Sequence, residues 1–153
     1  MAPILYYNVV SPPVRAVLLT ERALGIKLEK KEISIKNGDH LTTEYLKFPM
    51  FFLGVKEISQ KKADALIKGL VFLESFLENR EWMAGDQLTI ADLCIGASVS
   101  SMEALESLIP VSLDKYPRLQ GWMNRMKTLP YYEEANGTGL QKLKASVKQS
   151  VAE

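Results

Sequence analysis

Apolar and polar positions along the chain change period once, and the change divides it into two unequal parts. "PILYY" (3–7) is an unbroken apolar and aromatic run ended by Asn8, which reads as a buried strand. From Pro13 to Leu24, Val14, Val17, Leu18 and Leu24 recur at helical spacing, and Gly25 stands where a C-cap glycine belongs. "KLEKKEISI" then alternates: Leu28, Ile33 and Ile35 mark the apolar sides between lysines and glutamates, and "KNGD" ends the run. Strand, helix and strand within about 35 residues make a βαβ unit, whose strands should pair in parallel through a right-handed crossover.

Beyond it, "HLTTEYLKF" offers one short helical turn capped by Thr42 or Thr43. "FPMFFLGVKEIS" follows, a dense apolar stretch with Pro49 and Gly54 as breakers. From Ser59 onward the pattern is helical. A helix over 59–80 places Ala63, Leu66, Ile67, Leu70, Leu73, Phe76 and Leu77 on one stripe. "LTIADL" opens the next helix with Thr89 at the N-cap, Asp92 three residues on, and Leu88 opposite Leu93 as a hydrophobic staple. That helix runs to about Leu108, before Pro110. Pro117 starts another, with Leu119, Trp122, Met123 and Met126 inward, and a final amphipathic helix carries Leu140, Leu143, Val147 and Val151. The expected fold class is α/β then all-α.

Composition narrows the class of protein. The 153 residues suffice for one good-sized domain or two small ones. A hydrophobic fraction of 47% and a mean hydropathy close to zero belong to a globular chain with no membrane span. A net charge of +1 without a basic run gives no reason to expect nucleic acid or anionic lipid as partners. The opening "MAPILYYNVV" lacks the basic start of a secretory signal, and one cysteine rules out an internal disulfide framework, so a cytoplasmic location is expected.

One histidine and one cysteine cannot build a zinc site, and no metal is expected. Neither phosphate-cradling glycine motif occurs, nor does the G-x-S-x-G elbow. Cys94 falls among apolar positions and reads as a core thiol, and Arg15 as a helix-surface charge. Ser11 has two readings. It can be the N-cap of the first helix, or its hydroxyl can face a ligand. Pro12 and Pro13 weaken the first, because they remove backbone N–H groups that a capping serine would satisfy.

"LYYNVVSPPVRAVLL", "GDHLTTEYLK", "AGDQLTIADL" and "YPRLQGWMNRMKTLPYYEEANG" together resemble the cytosolic glutathione transferases, in particular the insect delta/epsilon type and, within it, epsilon. The resemblance implies a partial thioredoxin-like βαβ unit over 1–48 and a glutathione-transferase-type helical domain over 49–153. It implies glutathione as co-substrate, small hydrophobic electrophiles as partners, and a homodimer that detoxifies xenobiotics. Ser11 matches the serine that donates a hydrogen bond to the glutathione sulfur, and His40 the histidine that contacts glutathione. Pro13 and Ile35 match positions of the electrophile pocket.

The match breaks after "EYLKFP". The family continues there with a proline loop, two antiparallel strands, a Glu-Ser pair that grips the γ-glutamyl group, and two helices. Here "FPMFF" joins the short second helix directly to the end of the family's fourth, as if an internal segment had been skipped. Glu74-Ser75 and Glu106-Ser107 lie in predicted helices and cannot replace the missing pair. The shortening leaves three readings: an enzyme, a binding protein without turnover, and a truncated product.

Overall fold

A computed structural model describes residues 3–34, 37, 39, 60–105 and 111–152. The expected turn at 42–43, the 48–55 stretch and Glu106-Ser107 lie outside the described residues. β1 (Ile4–Tyr7) and β2 (Glu29–Glu32) pair in parallel, with Ile4 opposite Glu29 and Tyr7 opposite Glu32. The crossover between them is α1 (Pro12–Leu24), so the unit is the expected βαβ. α1 ends at Gly25, whose φ of 63° is left-handed. The N–H groups of Gly25 and Ile26 turn back to the carbonyls of Arg22 and Glu21.

The buried face of α1 is Arg15, Ala16, Leu18, Leu19 and Glu21, whereas Val17 and Leu24 are exposed. The stripe is thus rotated from the one that apolar spacing suggests. Glu21 explains part of this. Its carboxylate accepts the Leu28 N–H at 3.2 Å and meets Lys30 Nζ at 2.8 Å, which ties the end of α1 to β2. Burial pushes the Glu21 carboxyl up, but Lys30 and the Leu28 N–H outweigh it and hold it below its ordinary value.

Among the described residues four further helices follow: α2 (Gln60–Phe76), α3 (Ile90–Ala104), α4 (Pro117–Lys127) and α5 (Thr138–Ala152). A 3₁₀ turn at Leu113–Lys115 precedes α4, and a π turn at Glu133–Gly137 leads into α5. Leu119, Trp122, Met123 and Met126 are all fully buried, as α4's spacing predicts. On α2, Ala63 and Leu70 are buried, as is Leu77 just past its end, while Ile67 and Phe76 of the predicted stripe face outward. α1 packs chiefly on α3, so both halves share one core in which Leu18 and Leu19 join Leu93, Ala97 and Trp122.

The capping box at α3 forms as read. Thr89 receives the N3 backbone N–H, and Asp92 reaches back to the Thr89 N–H at 2.8 Å. Asp92 does more than cap. Its other oxygen accepts the Met83 N–H and the Trp122 indole N–H, each at 2.8 Å. One wholly buried carboxylate thereby joins the loop before α3, the start of α3 and the middle of α4. Glu74 caps α4 from α2 in the same manner, accepting the N–H groups of Arg118 at 3.1 Å and Leu119 at 2.8 Å. Cys94 is exposed, not a core thiol. It stands in a row with Ile90 and Ser98 on the outward side of α3, opposite Leu93 and Ala97.

Candidate functional site

The turn from β1 into α1 is shaped by Asn8. Its side-chain oxygen accepts the Val10 N–H at 3.2 Å, and its amide donates to the Ile33 carbonyl just past β2 at 3.2 Å. The Ser11 N–H donates to the Asn8 carbonyl at 3.0 Å. These bonds fix where Ser11 stands relative to the ends of both strands. The sequence pattern marks Asn8 only as a strand end; an Asn at the exit of a strand is the residue that makes such a turn.

Ser11 is the N-cap residue of α1, with extended backbone (φ −74°, ψ 122°), and its carbonyl accepts the Arg15 N–H at 3.1 Å. Its hydroxyl makes no capping hydrogen bond: Pro13, at the second helical position, has no N–H to offer, and the Val14 N–H at the third is not taken up. A half-buried hydroxyl stands at the positive end of a 13-residue helix, committed to no backbone group. Pro13 lies on the exposed side of the first turn. Ile35 and His40 lie outside the described residues; of the predicted site residues the structure describes Ser11 and Pro13, two positions apart in the chain.

Arg15, one turn further on, is fully buried, which corrects its reading as a surface charge. Its spacing carries the reason: it shares an i, i+3, i+4 row with Leu18 and Leu19. Nη2 donates to the Ala97 carbonyl at 3.3 Å and to Ser101 Oγ at 2.5 Å, both on α3. Nε and Nη1 have no partner among the described residues. Burial pulls the Arg15 pKa down, yet a guanidinium stays protonated in a protein.

Beside it, Ser100 accepts the Asn136 amide at 3.2 Å, and the Tyr132 hydroxyl lies near both without meeting hydrogen-bond geometry with either. Burial, with the Glu103 carboxylate nearby, pushes Tyr132 up to about 12. A folded pKa above the ordinary value near 10 means that folding favours the neutral phenol. The associated stability is complete below about pH 10 and is lost as pH rises towards about 12. Tyrosinate absorbance on an alkaline titration should show one of the six tyrosines ionising only as the chain unfolds, at a loss of up to roughly 2.5 kcal/mol. Ionisation of all six ahead of unfolding would contradict this.

Two open cavities, of about 370 and 300 Å³, lie between α3, α4 and α5. Neither is lined by a residue of α1, so neither adjoins Ser11. Among the described residues there is no cluster able to hold a metal ion.

Comparison with known proteins adds to this geometry. The glutathione S-transferase C-terminal domain family matches residues 24–130. Over 91 residues the chain is 34% identical to glutathione S-transferase 1 of Manduca sexta, a stretch that is 60% of this chain and 41% of that one. The chain thus spans under half of this curated relative, which is roughly half again as long. An epsilon-class glutathione S-transferase from the housefly Musca domestica has the same fold, with a TM-score of 0.81, 30% identity, and coverage of 96% of this chain and 97% of that one. A glutathione transferase homologue from Drosophila mojavensis, solved with bound glutathione, gives a TM-score of 0.83 at 29% identity, with 97% of each chain covered.

Proposed function

Since the chain belongs to the glutathione S-transferase family, of the insect delta/epsilon type, we propose that it binds glutathione at the N-terminus of α1 and transfers it to small hydrophobic electrophiles. The observation that carries this reading is the Ser11 hydroxyl, half-buried, uncapped and at a positive helix end. A thiol with a pKa near ~8.5 is only a few per cent ionised at pH 7. A hydroxyl donor and the partial charge of a helix end both favour the thiolate, and each unit of lowering is worth about 1.4 kcal/mol and up to tenfold more nucleophile. The thiolate sulfur then bonds to an electrophilic carbon, and the displaced group leaves with its electron pair. His40 holds glutathione, and Pro13 and Ile35 face the electrophile. The protein acts as a cytoplasmic homodimer in xenobiotic detoxification; among the described residues no helix is long and apolar enough to cross a membrane.

Thermal unfolding with and without glutathione tests the binding step. At a concentration about 100 times its dissociation constant, glutathione should stabilise the fold by ~2.7 kcal/mol, a rise in Tm of roughly 5–10 °C. Absence of any shift would overturn the reading. Ser11→Ala should lower glutathione-dependent turnover about ten- to a hundredfold, as loss of a hydrogen bond to a charged sulfur predicts. An unchanged rate would remove Ser11 from the mechanism. A second reading, binding without turnover, is favoured by the shortness of this chain against its Manduca sexta relative. A thermal shift with no conjugation of any hydrophobic electrophile would identify it.

A further inference from the structure

The fold buries a positive charge behind the proposed thiol site, and among the described residues nothing neutralises it. The Arg15 guanidinium is 0% exposed, meets only a carbonyl and a hydroxyl, and has two unpartnered nitrogens. A cation taken out of water without an anion is costly, and an apolar side chain of the same size would fill this position at less cost. The charged groups on the surrounding elements are engaged elsewhere. Glu21 of α1 pairs with Lys30 at 2.8 Å, Glu103 of α3 with Lys127 at 2.6 Å, and Glu134 of the π turn with Arg22. Tyr132, which also faces Arg15, is neutral at any pH where the fold operates.

The course of the Arg15 stem bears on what the charge can reach. Side chains of a helix lean towards its N-terminus. Here the lean can be located, because a Cβ added to Gly139 would lie 2.2 Å from the Val9 carbonyl oxygen and 2.7 Å from Arg15 Cδ. The arginine stem therefore runs back alongside the turn that delivers Ser11. We propose that Arg15 is an electrostatic partner of Ser11, an un-neutralised internal cation whose field, added to that of the helix end, keeps a glutathione thiol at Ser11 ionised.

Arg15 does not touch the sulfur. It acts through the low-dielectric core. By Coulomb's law with an effective dielectric of about 20, any unit charge within roughly 10 Å of a thiol shifts its pKa by about one unit or more, close to a tenfold change in thiolate. The proposal rests on the reading of Ser11 given above.

The test is the ultraviolet thiolate absorbance of glutathione mixed with the full chain, titrated from about pH 5 to about 9. Wild type should show a bound thiol ionising below the free value. Arg15→Gln should raise that midpoint by about one unit, and Arg15→Lys should restore most of the shift. The sharper variant is Ser101→Asp, which places a carboxylate beside Nη2. If Arg15 serves only packing, this change satisfies a buried cation and leaves the thiol alone. If Arg15 supplies the field, Tm stays level or rises while the thiol midpoint moves up by about one unit. An unmoved midpoint in Ser101→Asp overturns the proposal, even where Arg15→Gln fails to fold. No lowered midpoint in wild type overturns the Ser11 reading and this proposal with it. A lowered midpoint that all three variants retain overturns this proposal alone.

Discussion

Asp92→Ala is expected to lose about 4–5 kcal/mol of folding stability, enough to bring a domain of ordinary stability close to unfolding. The carboxylate is wholly buried and accepts four hydrogen bonds, from the backbone of Met83 and Thr89, the Thr89 hydroxyl and the Trp122 indole. Alanine leaves the Met83 N–H and the indole N–H in the core with no acceptor, at about 1–3 kcal/mol each. It also removes half of the capping box, worth about 1 kcal/mol. Asp92→Asn keeps an acceptor oxygen for one side of the network and turns a donor on the other, so an intermediate loss is expected. Urea unfolding at neutral pH reads both. A midpoint for Asp92→Ala within the error of wild type would show that the loop before α3 and α4 do not depend on this side chain.

Gly139→Ala should run against the usual rule. In an exposed helix interior the change from glycine to alanine stabilises by about 0.5–1 kcal/mol. Gly69, inside α2, has nothing within 4 Å of the place an added methyl would take and should show that gain. At Gly139 the added carbon would meet the Val9 carbonyl oxygen at 2.2 Å, and Val9 is backbone that cannot swing aside. Either α5 retreats or the turn carrying Ser11 is displaced. Overpacking of this kind costs about 3 kcal/mol, so the two glycine variants should shift Tm in opposite directions. Because the displaced turn holds Ser11, the glutathione-induced rise in Tm should also shrink in Gly139→Ala and persist in Gly69→Ala. Equal behaviour of the two would mean that α5 does not buttress the site.

The helical half is legible in the sequence because its signals are local. Thr89 and Asp92 are three residues apart, and Leu119, Trp122, Met123 and Met126 keep strict helical spacing behind Pro117. What local pattern hides depends on partners far along the chain. Glu74 reads as a helix-surface carboxylate until α4 is placed against it, and Arg15 as a surface cation until α3 is. Cys94 misleads for another reason. α3 is apolar or small on nearly every side, so its sequence does not say which row faces the core. At the site, Pro13 removes one of the two N–H groups that a capping serine can use, and that much is written in the sequence, but Val14 keeps the other. The turn made by Asn8 is not announced, because one of its two bonds crosses to Ile33 beyond β2.

The bonds from Arg15 to α3 span 82 and 86 positions of sequence, and Gly139 closes under Val9 from further still. A ribosome adding about 5–20 residues per second needs on the order of ten seconds to travel from Arg15 to Ser101. Throughout that interval the first strand and helix have β2 beside them but not α3, and the Arg15 guanidinium lacks the two acceptors that hold it in the core. The segment synthesised first therefore completes its core only after most of the chain has been made, and how long it waits is set by translation speed rather than by any property of the finished fold.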